Sequence, residues 1–230
     1  PTPTKPTHDY GAPMNTGTKK NRGGTSGKAV WTVGALIIGV VAVAAIVSIT
    51  SSSDTASAPG VTSEFSDVAV VGDSLPPLDS GATDAAVGMT APVLTGKGFS
   101  GNIVTTTPGT PTLIVLLAHW CPYCQKEVPL LVEWEKSGEM PAGVDVIGLV
   151  PGTDSAKPHY PPSAWLAREE FPVLWPVMVD SQERTAGEAF GVSGYPFFVL
   201  LDANGKVVGR TSGAVPIADL TTFVETVTTS

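Results

Sequence analysis

Cysteine is nearly missing from this chain. Its 230 residues contain two, and both lie in one stretch, His119-Trp120-Cys121-Pro122-Tyr123-Cys124-Gln125-Lys126-Glu127-Val128-Pro129. No second cysteine pair exists and the only histidines are His8, His119 and His159, so a structural zinc site lacks its usual four ligands. The residue after Cys124 is Gln125 rather than histidine, which removes haem attachment. Charge is also thin: 15% of residues are charged against 42% hydrophobic. That balance speaks against a plain cytosolic enzyme and for a membrane segment or a long uncharged linker. No internal repeat is visible.

Both features are found. Residues 29–53 carry no charge, and Val30 to Ile49 read VWTVGALIIGVVAVAAIVSI, long enough for a helix that crosses a bilayer. The span is placed at 30–50. Before it stand Lys5, Lys19, Lys20, Arg22 and Lys28 against a single acid, Asp9, so residues 1–29 carry about +4 and the rest about −12. Basic flanks stay in the cytoplasm, which predicts an inside N-terminus and an outside remainder at the cell membrane. The basic tail has no interleaved aromatics, so nucleic acid is not an expected partner. Residues 1–29, rich in Thr, Pro, Gly and Lys, read as disordered, and 51–84, rich in Ser, Ala, Gly and Asp, as a flexible extracytoplasmic tether. Ala56-Ser57-Ala58 has the small residues of a signal-peptidase site but lies well past the apolar run, and an uncleaved anchor is expected.

From residue 85 onward, strand-like runs alternate with helical patterns. Val93-Leu94 and Asn102–Thr106 suggest a hairpin turning at Gly96-Lys97-Gly98, and Val68–Val71 a brief strand before it. Thr112–Ala118 is a continuous apolar run, as for a strand buried on both faces. A helix follows to about Ser137, then a strand at 144–150, a helix at 162–171, a strand at 177–179 and a helix at 181–190 capped by Ser181. Strands at 197–201 and 207–211 are joined by the Asp202-Ala203-Asn204-Gly205 turn, and a helix over 216–227 closes the chain. The pattern implies an α/β domain over 85–230 with a central mixed sheet flanked by helices.

The cysteines fall where the buried strand gives way to a helix. Three residues apart, they close too small a loop to be a useful staple. At a helix N-terminus, the free N–H groups and the dipole favour a thiolate at Cys121. Cys124, one turn on and on the same face, is poised to attack a mixed disulfide formed at Cys121. Pro122 suits the first turn.

The segment Trp120-Cys121-Pro122-Tyr123-Cys124 after a buried strand resembles the active site of the thioredoxin superfamily. Gln125-Lys126-Glu127-Val128-Pro129 is similar to its TlpA/ResA-like branch of exported or membrane-anchored members. The resemblance covers about 85–229 and implies a thioredoxin-like fold preceded by a single transmembrane helix. It implies further that Glu127 belongs to the active site as proton acceptor, that Pro129 kinks the helix, and that Tyr195-Pro196 in GVSGYPFFVLLDANGKVVGRTSG is a cis bond beside the cysteines. Two positions depart from related patterns: Val115 stands where thioredoxins proper carry a buried Asp, and Phe197 where cytochrome-maturation members often carry Glu.

These readings give Cys121 as nucleophile, Cys124 as resolving cysteine and Glu127 as their proton acceptor or tuner. Trp120, Pro122, Tyr123, Tyr195 and Pro196 shape the site and the partner surface. His119 reads as a bystander, and Trp134, Trp165 and Trp175 as packing residues. No cofactor beyond the redox-active cysteine pair, and no metal, is expected. The expected partners are exported thiol or disulfide proteins, a membrane electron donor or acceptor, and the bilayer through 30–50. A peroxiredoxin-like peroxidase is a competing reading, set back by Ala118 where that family commonly has Thr. A non-catalytic redox-sensing or binding module on the same scaffold is another.

Overall fold

A computed structural model describes residues 57–228 except Ser80 and Ala82. The expected basic tail, the span at 30–50 and the first residues of the tether lie outside the described residues. Among the described residues, no helix is long and apolar enough to cross a membrane.

Twelve elements follow one another: β1 (Ala69–Val71), β2 (Val93–Lys97), β3 (Ile103–Thr105), β4 (Thr112–Leu116), α1 (Pro122–Ser137), β5 (Asp145–Val150), α2 (Pro162–Arg168), β6 (Val177–Val179), α3 (Thr185–Ala189), β7 (Phe197–Leu201), β8 (Val207–Ser212) and α4 (Ile217–Glu225). Five strands form the central sheet in the order β6-β5-β4-β7-β8. β4, β5 and β6 run parallel, and β7 and β8 pair antiparallel, so the sheet is mixed. A separate antiparallel sheet, β1-β2-β3, holds the hairpin.

Every residue of β4 and β7 is buried, which is why both read as unbroken apolar runs. Alternate side chains go to opposite faces. Leu113 and Val115 join Val128, Leu131 and Val132 of α1 and Leu220 and Val224 of α4 in one core. Ile114 and Leu116 join Leu94, Met178, Ala186 and Phe190 in the other. Trp134, Trp165 and Trp175 are all buried in the first core, as expected of packing residues.

Several boundaries differ from the sequence-based expectation. β2 runs on through Gly96 and Lys97, and the hairpin turns later, where Gly98 N–H meets the Asn102 carbonyl at 2.8 Å. α2 ends at Arg168. α3 starts at Thr185 rather than Ser181, because 181–184 form a turn whose last residue, Arg184, is left-handed with φ 65°. The Ser181 hydroxyl still accepts from Thr185 N–H at 3.2 Å, and the Asp180 carboxylate takes the N–H groups of Ala186 and Gly187.

The segment expected as a tether is, as far as it is described, folded onto the domain. Glu64 is buried and accepts from Ser57 Oγ and from the N–H and hydroxyl of Ser163. Leu75 is buried and its N–H donates to the Ala189 carbonyl. Arg210, its side chain fully buried, pairs with Asp84 and donates to the carbonyls of Pro76 and Phe190. Gly191, at φ 66°, makes room for this crossing: a β-carbon there would overlap the Pro76 carbonyl. Polar residues with little local pattern thus find partners far along the chain.

Candidate active site

β4 delivers the chain to the site through buried Leu117 and Ala118. A turn closed by Cys121 N–H to the Ala118 carbonyl, 3.0 Å, places Cys121 as the residue that caps α1. Pro122 occupies the first turn, where its missing N–H leaves no bond unmade. α1 buries Cys124, Glu127, Val128, Leu131, Val132 and Trp134 along one stripe, contains Pro129, and ends at Gly138 in the left-handed conformation.

The cysteines are both free and both buried, Cys121 retaining 6% exposure and Cys124 none. The Cys121 thiol donates to the Tyr195 carbonyl at 3.3 Å. This follows from strand register: Leu116 at the end of β4 faces Phe197 at the start of β7, so the residues beyond one strand meet those before the other. The Tyr195–Pro196 bond is cis, and Pro196 is buried. A second cis bond, Tyr160–Pro161, had no distinguishing mark in the sequence.

Beneath Cys121, Cys124 Sγ accepts from Ala118 N–H at 3.4 Å. Burial pushes its thiol far up, and the neighbouring Cys121 sulfur and the Glu127 charge add to this. Glu127 is itself 1% exposed, and burial raises its carboxyl above the ordinary range. Among the described residues, its one hydrogen bond is a long one, from Val215 N–H at 3.4 Å. A buried carboxylate with so little compensation favours its protonated form.

The rim is aromatic. Trp120 and Tyr195 meet edge to face with centroids 5.8 Å apart. Trp120 Nε1–H donates to the Gly152 carbonyl at 2.8 Å, tying the rim to the loop after β5. Burial pushes the Tyr195 hydroxyl up to about 12, so it stays protonated. Pro122 and Tyr123 are exposed. Val115 and Phe197, at the two departing positions, are fully buried in apolar surroundings.

His119 has a larger place than the sequence suggested. It is fully buried, and both ring nitrogens are engaged, Nδ1 with the Pro158 carbonyl at 2.7 Å and Nε2 with Asp154 N–H at 3.2 Å. A carbonyl only accepts and an N–H only donates, so the ring is the neutral tautomer with its proton on Nδ1. Burial holds the imidazole below the usual histidine range. Gly152 and Arg184 also border the site, and nothing in their local sequence marked them. Among the described residues, no three His, Cys, Asp or Glu side chains are grouped to hold a metal ion.

A family model described as Redoxin matches residues 86–224. The thiol-disulfide oxidoreductase ResA of Geobacillus thermodenitrificans is 26% identical over 151 residues, 63% of this chain and 80% of that protein. Methylamine utilization protein MauD of Methylophilus methylotrophus is 29% identical over 128 residues, and the chain spans 54% of its length. Among solved structures, a thioredoxin family thiol:disulfide interchange protein from Chlorobium tepidum TLS has a TM-score of 0.50 at 24% identity, covering 63% of this chain and 99% of that one. That likeness is one of fold.

Proposed function

The chain belongs to the Redoxin family, as a TlpA/ResA-like member of the thioredoxin superfamily, and from that premise we propose that it is a thiol–disulfide oxidoreductase acting through Cys121 and Cys124. The observation that carries the reading is the Cys121 thiol, capping α1 and bonded to the backbone of Tyr195 beside a cis proline, with Cys124 buried below.

In the reducing direction, the Cys121 thiolate attacks one sulfur of a partner's disulfide. A bond forms between Cys121 and that sulfur, the partner's own disulfide breaks, and the released thiolate takes a proton. Cys124 then loses its proton to the Glu127 carboxylate and attacks Cys121 Sγ. The Cys121–Cys124 bond forms, the mixed disulfide breaks, and the partner leaves with its second thiol. Two electrons have passed to the partner. The oxidising direction is the same sequence reversed. Trp120, Tyr123 and Tyr195 form the surface on which the partner's segment rests, with buried Pro196 behind the Tyr195 backbone, which offers an edge for extended pairing.

The further reading is that residues 30–50 anchor the protein in the cell membrane, with the N-terminus in the cytoplasm and the domain outside. Its partners would be exported thiol or disulfide proteins and a membrane electron donor or acceptor. The charge asymmetry about the apolar run supports this.

The test is the equilibrium reduction potential, by thiol trapping in dithiothreitol and glutathione buffers. A single two-electron couple is expected, and it is lost in Cys121→Ser. A potential near roughly −270 mV assigns the protein as a reductant, and one near roughly −120 mV as an oxidant. The absence of any reversible couple would overturn the reading.

A further inference from the structure

We propose that Arg184 is a specificity-determining residue that selects partners carrying a carboxylate beside the reacting sulfur. The proposal rests on the oxidoreductase reading and adds to it which segments the site prefers.

The placement comes from three elements meeting at Gly152. The position a β-carbon would take there lies 3.8 Å from each of three atoms: Arg184 Cδ, Trp120 Cζ2 and Tyr195 Oη. The arginine stem therefore lies against the same spot as the two aromatic residues of the rim. Tyr195 is the residue whose carbonyl receives the Cys121 thiol. A segment that brings its sulfur to Cys121 and lies across Tyr195 passes within reach of the guanidinium.

The charge is available. Arg184 is exposed, and among the described residues no carboxylate forms an ion pair with it. Arg210 is taken by Asp84, and Lys136 by Glu170. The nearby acids do not cancel it. Asp180 spends its carboxylate on the N–H groups of Ser181, Ala186 and Gly187. Glu183 and Glu188 are exposed and make no ion pair with it. At Tyr195, where burial pushes the hydroxyl up, the Arg184 charge pulls the other way and the Asp180 charge opposes it less strongly, so the arginine's field reaches the rim.

The backbone is fixed and costly. Arg184 sits at φ 65°, a conformation glycine adopts more cheaply than any residue with a β-carbon. Its N–H donates to the Ser181 carbonyl at 3.1 Å and its carbonyl accepts from Glu188 N–H at 2.9 Å. A long cationic side chain held at such a position, against the active-site rim, is placed to do something there. A planar guanidinium with several donors matches a carboxylate in shape and charge. The chain as a whole is acidic, at −8, so an acidic segment needs a local cation to approach.

The experiment uses the reduced full-length protein and three disulfide-bonded peptides, identical except for Glu, Gln or Lys two residues from the reactive cysteine. Second-order exchange rates are measured at low and high salt. The Glu peptide is expected to react about fivefold faster than the Lys peptide at low salt, as a partly exposed ion pair allows. High salt should shrink the ratio. Arg184→Gln should abolish the preference, and Arg184→Lys should keep part of it, with far-ultraviolet circular dichroism and thermal midpoint confirming that both fold. Equal rates for Glu and Lys peptides in the parent protein, or an unchanged ratio in folded Arg184→Gln, would overturn the proposal. A failure to exchange with all three peptides removes the oxidoreductase reading, and the proposal with it.

Discussion

The Cys121 thiol and the Tyr195 carbonyl, 74 residues apart in the chain, form a hydrogen bond of 3.3 Å. Cys121, the proposed nucleophile, is thereby fixed from two directions. The β4–α1 turn sets its backbone, and the antiparallel pairing of β4 with β7 brings the residue before the cis proline against its sulfur. Cys124 has no such access to the surface: it is fully buried and its thiol is pushed far up.

That asymmetry predicts distinct behaviour for the two serine variants. Cys121→Ser should lose disulfide exchange down to the buffer rate. Cys124→Ser should still attack but fail to release, accumulating mixed disulfides with its partners. Mass spectrometry of acid-quenched, alkylated samples separates the outcomes, and equal trapping by both variants would contradict the assigned roles.

Glu127 has a pH signature with a definite sign. Burial raises its carboxyl, so the folded protein holds this proton more tightly than the unfolded chain does. Its stabilising contribution is complete below the ordinary carboxylate range and is lost as pH rises through the raised folded value. Glu127→Gln removes that loss. The variant should gain stability relative to the parent at neutral pH, by about 1.4 kcal/mol for each tenfold displacement of the proton equilibrium, and converge with it in acid. Urea unfolding at the two pH values measures this. The same variant should slow resolution of the mixed disulfide at neutral pH, since Cys124 loses its proton acceptor.

What could be read from the sequence was what short-range pattern carries. Cys121 and Cys124 lie at a strand-to-helix junction, and Glu127 and Pro196 were marked by the resemblance of their segments to the family's. The fully buried β4 and β7 announce themselves by composition. The folded start of the domain was not legible, because Glu64 and Ser163 are 99 residues apart and neither is apolar. α3 was misplaced because Ser181 does serve its N-terminus, but across a turn that ends in left-handed Arg184. Arg184 and Gly152 became visible only when three separate elements converged.

The Asp84–Arg210 pair should behave as a buried clasp. Removing one charge leaves the Arg210 guanidinium buried beside carbonyls alone, and breaking such a pair costs about 3 kcal/mol. Asp84→Asn should therefore lower the unfolding free energy by that amount at neutral pH. The Arg210 hydrogen bond holds the Asp84 carboxyl below its usual value, so the pair's contribution is present above the ordinary Asp range and fades as pH falls through the folded value. Parent and variant should converge in strong acid, as read by urea titration. A constant gap would mean that packing, not charge, sets the cost.

His119 carries a dependence of the same sign as Asp84, and opposite to Glu127, into the site itself. Burial lowers its imidazole, so the folded state holds fewer protons here than the unfolded chain. The contribution is present above the ordinary histidine value of 6.5 and is lost as pH falls through the lower folded one. Protonation at Nε2 turns an acceptor into a donor facing Asp154 N–H, and that bond breaks. The loop it holds also bears Gly152, the acceptor for Trp120. Acid should therefore lower the protection of the Asp154 amide against hydrogen exchange, relative to its intrinsic rate at the same pH, before the domain unfolds, and shift Trp120 fluorescence with it. His119→Ala should cost about 2 kcal/mol through the two backbone groups left unpaired. It should slow exchange with protein partners more than with a small disulfide, because the rim is disturbed while the Cys121 bond to Tyr195 is kept. Asp154 protection that holds until global unfolding would separate His119 from the rim.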